Sequence, residues 1–254
     1  MMAYSPLRGD GSCAPLAIIS HGAGGSENGY SYLALALAQQ GYKAIVVGHR
    51  ESGRAQVLNE MRDKGIGGGL RDLVMNPEAE SSRLLDIGAA LKWADSRCKP
   101  PFRVLLGHSM GAITVMLESG AKNEIGVKSP PAGQDRFDAY VALSPEGPGL
   151  VFPERAWTGI HKPMLLMTGT RDQSLKGGPE ARQIPFRDLQ GTAAHCQWLA
   201  VIEGATHMNF AGAGIGAQQV TPIVTETVGV FLQGVRSGNC ALPPDRSGLK
   251  LQAK

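Results

Sequence analysis

Three short segments of this chain carry side chains from which an activated nucleophile could be built: Gly107-His108-Ser109-Met110-Gly111, Gly169-Thr170-Arg171-Asp172 and Gly204-Ala205-Thr206-His207. A serine hydroxyl attacks poorly until a base takes its proton, and the base needs a third group to orient it. Ser109 follows the apolar run Phe102 to Leu106 and precedes Ala112 to Leu117, which reads as a strand, a sharp turn and a helix. That turn strains the serine and lifts its hydroxyl to the carboxyl end of a buried strand, while the flanking glycines permit close packing. Taken alone, the pentapeptide is equally well a glycine-bounded turn with an incidental serine. Asp172 and His207 each stand one short loop beyond another apolar run, Pro163 to Thr168 and Gln197 to Ile202. Singly, Asp172 reads as a turn residue and His207 as a satisfied polar group. Jointly, they supply an orienting acid and a base at the same sheet edge as Ser109.

Such a convergence requires parallel strands whose carboxyl ends lie side by side. Near-continuous apolar runs predict strands at Pro15 to Ser20, Lys43 to Val47, Phe102 to Leu106, Ala139 to Leu143, Pro163 to Thr168 and Gln197 to Ile202. Between them, helices are expected at about Tyr30 to Gln39, Pro77 to Arg97, Met110 to Gly120 and Pro222 to Leu232. The alternation defines an α/β fold with helices on both faces of the sheet. Asn76 is placed to cap the second helix, with Pro77 at its first position and Glu78 and Glu80 at its positive end. His49 to Met75, centred on Gly65-Ile66-Gly67-Gly68-Gly69, lacks sustained periodicity and reads as a long connection with one short helix from Ala55 to Lys64. A single domain over 1–236 is expected, followed by a loosely attached tail over 237–254 containing Pro243-Pro244.

Acyl transfer also needs backbone donors for a developing oxyanion. The N–H of Met110, at a helix start, is one candidate. The N–H of Ala23, within Ser20-His21-Gly22-Ala23-Gly24-Gly25-Ser26 after the first long strand, is the other. A dinucleotide turn fits that loop poorly, because Glu27 occupies its sixth place and the following strand ends Val47-Gly48-His49 without a ribose-binding acid. Glu146, after the strand Ala139 to Leu143, rivals Asp172 as the acid and otherwise serves as a pocket residue. Trp157, Phe210, Phe152 and Met110 are candidate apolar walls, each equally suited to the core. His21 and His108 orient backbone near the site, while His49, His161 and His195 read as surface residues or local hydrogen-bond partners.

Together with Met208-Asn209-Phe210, these motifs resemble the α/β-hydrolase superfamily from roughly Tyr4 to Leu232. The nearest likeness is to lidless dienelactone-hydrolase-like or platelet-activating-factor-acetylhydrolase-like serine esterases, related to cutinase-type polyester hydrolases. The resemblance implies a carboxylic-ester hydrolase with catalytic Ser109, Asp172 and His207, an oxyanion hole at Ala23 and Met110, and no metal or organic cofactor. Dienelactone hydrolases use a cysteine nucleophile, so the serine argues against carrying over lactone specificity. The superfamily sheet begins with two strands ahead of the oxyanion loop, so the short stretch before Pro15 predicts the loss of one or both, or a start at the second, around Ala3-Tyr4. A lid between Leu143 and Pro163 has little room, which predicts an open site for small-molecule or polymeric esters. An amidase or peptidase, and a silent binding protein of the same fold, are the alternatives.

Bulk properties narrow the field. The net charge is +3, and no basic track interleaved with aromatics points to nucleic acid. No run approaches a membrane span, and Met1 to Asp10 has no export signal, so the chain as it stands reads as soluble and cytoplasmic, or as secreted or periplasmic had a leader been removed. Cys13, Cys98, Cys196 and Cys240 lack metal-ligand spacing and fit isolated or singly paired states alike.

Overall fold

The computed structural model describes residues 1–6, 12–128, 136–192 and 195–254. In chain order it contains β1 (Met2–Tyr4), β2 (Leu16–Ser20), α1 (Ser31–Gln39), β3 (Lys43–Val47), α2 (Arg54–Val74), α3 (Pro77–Asp95) and β4 (Arg103–His108). These are followed by α4 (Met110–Glu118), β5 (Ala139–Leu143), β6 (Met164–Arg171), α5 (Ile184–Asp188), β7 (Gln197–Thr206), α6 (Ala217–Ser237) and β8 (Leu249–Ala253). The strands form one sheet in the order β1-β3-β2-β4-β5-β6-β7-β8. From β3 to β7 every neighbouring pair is parallel, and the two outer strands run antiparallel to their neighbours.

Side chains alternate between two helical layers, as the pleat of a strand buried on both faces requires. Ile18, Ile45 and Leu105 pack with Ile87 and Leu91 of α3 and Ile113 of α4. Their neighbours Ile19, Val46 and Leu106 pack with Leu33 and Leu37 of α1 and Val224, Val228 and Phe231 of α6. At the start of α3, the Asn76 side chain accepts from the N–H groups of Glu78 and Ala79 at 2.9 and 3.2 Å, the cap its sequence predicts. This is the α/β-hydrolase arrangement, with one strand, β1, ahead of the first parallel strand.

Two segments depart from expectation. The stretch expected to be a loose tail supplies β8, whose Leu249 to Ala253 pair in register with Ile202 to Trp198 of β7. Trp198 Nε1 donates to the Cys240 carbonyl at 3.1 Å, and Cys240 is disulfide-bonded to Cys196. Alternating half-buried residues and a short length hid this strand. A second disulfide joins Cys13 to Cys98.

The connection expected after His49 is instead helical throughout α2, interrupted only at Gly65 (φ 72°, ψ 170°). Its halves fold against each other, and a Cβ at Gly69 would stand 2.6 Å from the Glu60 carbonyl. Lys64 and Asp72 pair across the fold at 2.8 Å. Glycine permits both the reversal and the close approach, yet the same glycines erase the periodicity by which a helix is read.

Candidate functional site

The carboxyl ends of β4, β6 and β7 deliver Ser109, Asp172 and His207 to one place. Ser109 sits at φ 57° and ψ −119°, outside helical and strand geometry, and its N–H donates to the Leu143 carbonyl at 3.0 Å. A Cβ at Gly107 would lie 2.1 Å from the Gly111 carbonyl oxygen, and one at Gly111 equally close to that of Ser20. No side chain but hydrogen fits at either position, which is why glycines bracket the turn. A similar closeness joins β6 to β7: a Cβ at Gly169 would meet the Ala205 carbonyl oxygen at 2.1 Å, beside a register shift between Gly169 and Arg171. That irregularity bends the two strand ends together, just before Asp172 and His207.

His207 Nε2 lies 2.9 Å from Ser109 Oγ, and His207 Nδ1 lies 3.0 Å from Asp172 Oδ1. With the ionised carboxylate accepting from Nδ1–H, Nε2 is left as the acceptor facing the serine. Asp172 is buried and also accepts from Ser144 Oγ at 2.6 Å and Thr168 Oγ1 at 2.9 Å, with Arg182 Nε 2.8 Å from Oδ1. Burial pushes this carboxyl up, but the hydrogen bond from His207 and the Arg182 charge outweigh it and hold Asp172 below its ordinary value.

A buried relay joins the three loops around Ser109. The Gly22 N–H donates to Tyr30 Oη at 3.1 Å, and Tyr30 Oη meets His108 Nδ1 at 2.8 Å. His108 Nε2 meets the His207 carbonyl at 3.0 Å. That carbonyl can only accept, so Nε2 carries the proton and Nδ1 accepts from the tyrosine. Burial, then the neighbouring His207, keeps His108 far below the ordinary histidine value and hence neutral. His21 Nδ1 donates to the Gly22 carbonyl at 2.7 Å.

The proposed oxyanion donors flank this relay. Met110 N–H belongs to the first turn of α4, where helical N–H groups have no partner within the helix. Gly22 lies against Ser109, since a Cβ there would be 3.2 Å from Ser109 Cβ, and Ala23 follows it along the cleft.

Two cavities meet at Ser109 and His207. The smaller, about 290 Å³, lies between Leu70 and Val74 of α2, Met110 and Ile113 of α4, Leu175 and Glu146. The larger, about 470 Å³, runs along the Gly22 to Ser26 loop past Arg54 and Met208. The cavities therefore have a wall that was not expected: Leu70 of α2 borders both. A wider groove of about 700 Å³ between Tyr42 and α6 contains none of Ser109, Asp172 or His207.

Other expectations are corrected. Trp157 is fully buried, packed on Phe152 at 5.2 Å between ring centroids with Nε1 directed to Met116 Sδ at 3.1 Å, so it belongs to the core and not to a pocket. Phe210 is likewise fully buried, within the α1 and α6 layer, its ring held there because the short 3₁₀ helix after His207 turns inward. Glu146 does line the smaller cavity, but its contacts are the Ser174 hydroxyl and Arg182 Nη1 at 3.4 Å, not His207. His49 is not a surface residue: it is buried with Nε2 3.0 Å from Ser20 Oγ and Nδ1 2.9 Å from Asp86.

Arg83, Arg182, Ser144 and Tyr30 also contact these loops, and no motif singles them out in the sequence. Arg83 is fully buried beneath the glycine loop, donating to Thr114 Oγ1 at 2.8 Å, Ser20 Oγ at 2.9 Å, Ser52 Oγ and the His21 carbonyl. Only an arginine inside an amphipathic helix pattern marks it in the sequence, and its partners are all distant along the chain.

The fold is α/β-hydrolase-like. Residues 2–65 match the family model described as platelet-activating factor acetylhydrolase, isoform II. The matched stretch spans β1, β2, the glycine loop, α1, β3 and the first half of α2, and ends before Ser109. It supports hydrolase activity in general. No curated protein sequence matches the chain. Among the described residues, no helix is long and apolar enough to cross a membrane.

Proposed function

We propose that this protein is a serine carboxylic-ester hydrolase that works through an acyl-enzyme. The observation that carries the reading is the continuous chain Ser109 Oγ, His207 Nε2, His207 Nδ1, Asp172 Oδ1, with links of 2.9 and 3.0 Å. In the first half-reaction, Ser109 Oγ attacks the ester carbonyl as its proton passes to His207 Nε2. The N–H groups of Ala23 and Met110 stabilise the oxyanion, and the imidazolium returns the proton to the leaving alkoxide. Water repeats the sequence on the acyl-enzyme and frees the acid. Asp172 holds the imidazole in the working tautomer throughout.

The cavity volumes favour a division of the substrate. A short or medium acyl chain suits the apolar space of about 290 Å³ under Leu70, Val74 and Ile113, and the alcohol portion suits the more open groove. That open side also admits a bulky or polymeric ester. A fluorophosphonate probe is expected to label Ser109, and Ser109→Ala is expected to cut hydrolysis of acyl-nitrophenyl esters by at least about a thousandfold. Hydrolysis unchanged by Ser109→Ala would overturn the reading.

A further inference from the structure

We propose that Tyr30 is a positioning residue whose hydroxyl locks the glycine loop carrying the Ala23 N–H to the loop carrying His207; this rests on the serine-hydrolase reading above. Tyr30 is a poor local choice where it stands. It precedes α1 in the left-handed region, at φ 58° and ψ 21°, and its side chain makes no cap for the helix. That conformation costs a non-glycine residue on the order of 1 kcal/mol, and Ser, Thr, Asp or Asn would cap better. Its carbonyl accepts from the N–H groups of Leu33 and Ala34 at 3.1 and 3.0 Å, which ties it to α1, while its buried ring reaches back to the site. The strained backbone therefore holds a hydroxyl in place for partners outside the helix.

Those partners fix the loop. Tyr30 Oη accepts from the Gly22 N–H at 3.1 Å and donates to His108 Nδ1 at 2.8 Å. The Gly22 carbonyl accepts from His21 Nδ1 at 2.7 Å and from the Gly25 N–H at 3.0 Å, and the Gly24 N–H donates to the Ser52 carbonyl at 2.9 Å. From Gly22 to Gly25, the Ala23 N–H alone is then left without a partner among the described residues. A free N–H in an otherwise committed loop is what a developing oxyanion requires. At the far end, His108 Nε2 donates to the His207 carbonyl at 3.0 Å. The hydrogen bonds thus run one way, from Gly22 through Tyr30 and His108 to His207. Neither side chain on that path carries charge, since burial pushes Tyr30 up to about 12 and depresses His108. Tyr30→Phe would keep the ring but leave the Gly22 N–H and His108 Nδ1 unpartnered. Both loops would lose their common reference, and a displacement of about 1 Å suffices to lower a rate on the order of a hundredfold.

Tyr30→Phe, His108→Gln and the double variant would be compared with the unaltered protein in kcat on an acyl-nitrophenyl ester, and in affinity for an alkyl trifluoromethyl ketone and for the matched methyl ketone. The first ketone forms a tetrahedral oxyanion adduct on Ser109, whereas the second mimics only the bound substrate. Tyr30→Phe is expected to lower kcat and trifluoromethyl ketone affinity together, by about tenfold to a hundredfold, with methyl ketone affinity held within about twofold. His108→Gln should do the same, and the double variant should be no worse than the poorer single one, as members of one chain. A loss of kcat below about tenfold in folded Tyr30→Phe, an equal loss of affinity for both ketones, or additive losses in the double variant would overturn the proposal. Should Tyr30→Phe fail to fold, His108→Gln decides by the same kcat and the same two ketones. Fluorophosphonate labelling of the unaltered protein separates the two readings, since an unlabelled Ser109 would mean that the hydrolase reading had failed first.

Discussion

Ser109 and Ser144 both occupy positive φ, at 57° and 53°, a conformation that costs a non-glycine residue on the order of 1 kcal/mol. Each strain serves the same three side chains: Ser109 is turned toward His207, and Ser144 is turned so that its hydroxyl reaches Asp172 Oδ2 at 2.6 Å. Asp172 is thus held by partners on several loops, and its charge decides the imidazole tautomer. Asp172→Asn keeps the shape but lets the amide favour the wrong tautomer, and kcat is expected to fall by about 10⁴. A loss of tenfold or less, with the fold intact by circular dichroism, would deny Asp172 that role. The meeting of Ser109, Asp172 and His207 could be read from the sequence because each lies a short loop beyond an apolar run. Ser144, Tyr30, Arg83 and Arg182 could not, since what matters about them is partners remote in the chain. For Trp157 and Phe210 the sequence leaves wall and core open for a related reason. An aromatic ring suits cleft and core alike, and only packing decides.

Among the elements, α2 lines both cavities at Ser109, through Leu70 in each, Val74 in the smaller and Arg54 in the larger. Leu70 borders both the smaller and the larger cavity, so Leu70→Ala should widen the space where they meet. The expected result is a shift of preference toward longer acyl chains, read as kcat/KM across a series of nitrophenyl esters; an unchanged profile would mean that α2 does not shape selection. The sequence hid this element because glycines at the reversal and the contact removed the helical period. At the other end of the chain, β8 is held by ladder hydrogen bonds and by the Cys196–Cys240 disulfide. Cys240→Ser should lower stability by about 2 to 4 kcal/mol. Denaturant titration would show it, and an unchanged midpoint would mean that the strand needs no bridge. Parallel strands were legible because burial on both faces makes them continuously apolar. The antiparallel edge strands, each half-exposed and brief, carry no such run.

The whole molecule buries several histidines in neutral form, which ties its stability to pH. Burial, then the Arg83 charge, lowers His21 to about 4, while burial first and then neighbouring positive charge depress His49 strongly; His108 is depressed as described. As pH falls through about 6.5 the unfolded chain protonates such imidazoles and the folded chain does not. Their contribution is full above that pH and is lost below it. Glu80, which burial pushes up to about 7, works the other way: its folded carboxyl retains a proton that the unfolded chain gives up above its ordinary value of 4.5. Asp86 and Glu118, likewise raised by burial, share its sense; but all three histidines have their ordinary value inside the interval and their folded value below it, so stability is expected to decline between about pH 7 and about pH 5, with net proton uptake on unfolding. A urea midpoint that rises over that interval would contradict this. Finally, Cys13, Cys98 and Cys196 all stand just before the amino ends of β2, β4 and β7, whereas Ser109, Asp172 and His207 follow the carboxyl ends of β4, β6 and β7. The covalent staples thus form a base and the chemistry a crown. An immobilised preparation could be anchored through the base with its working face turned to the bulk liquid.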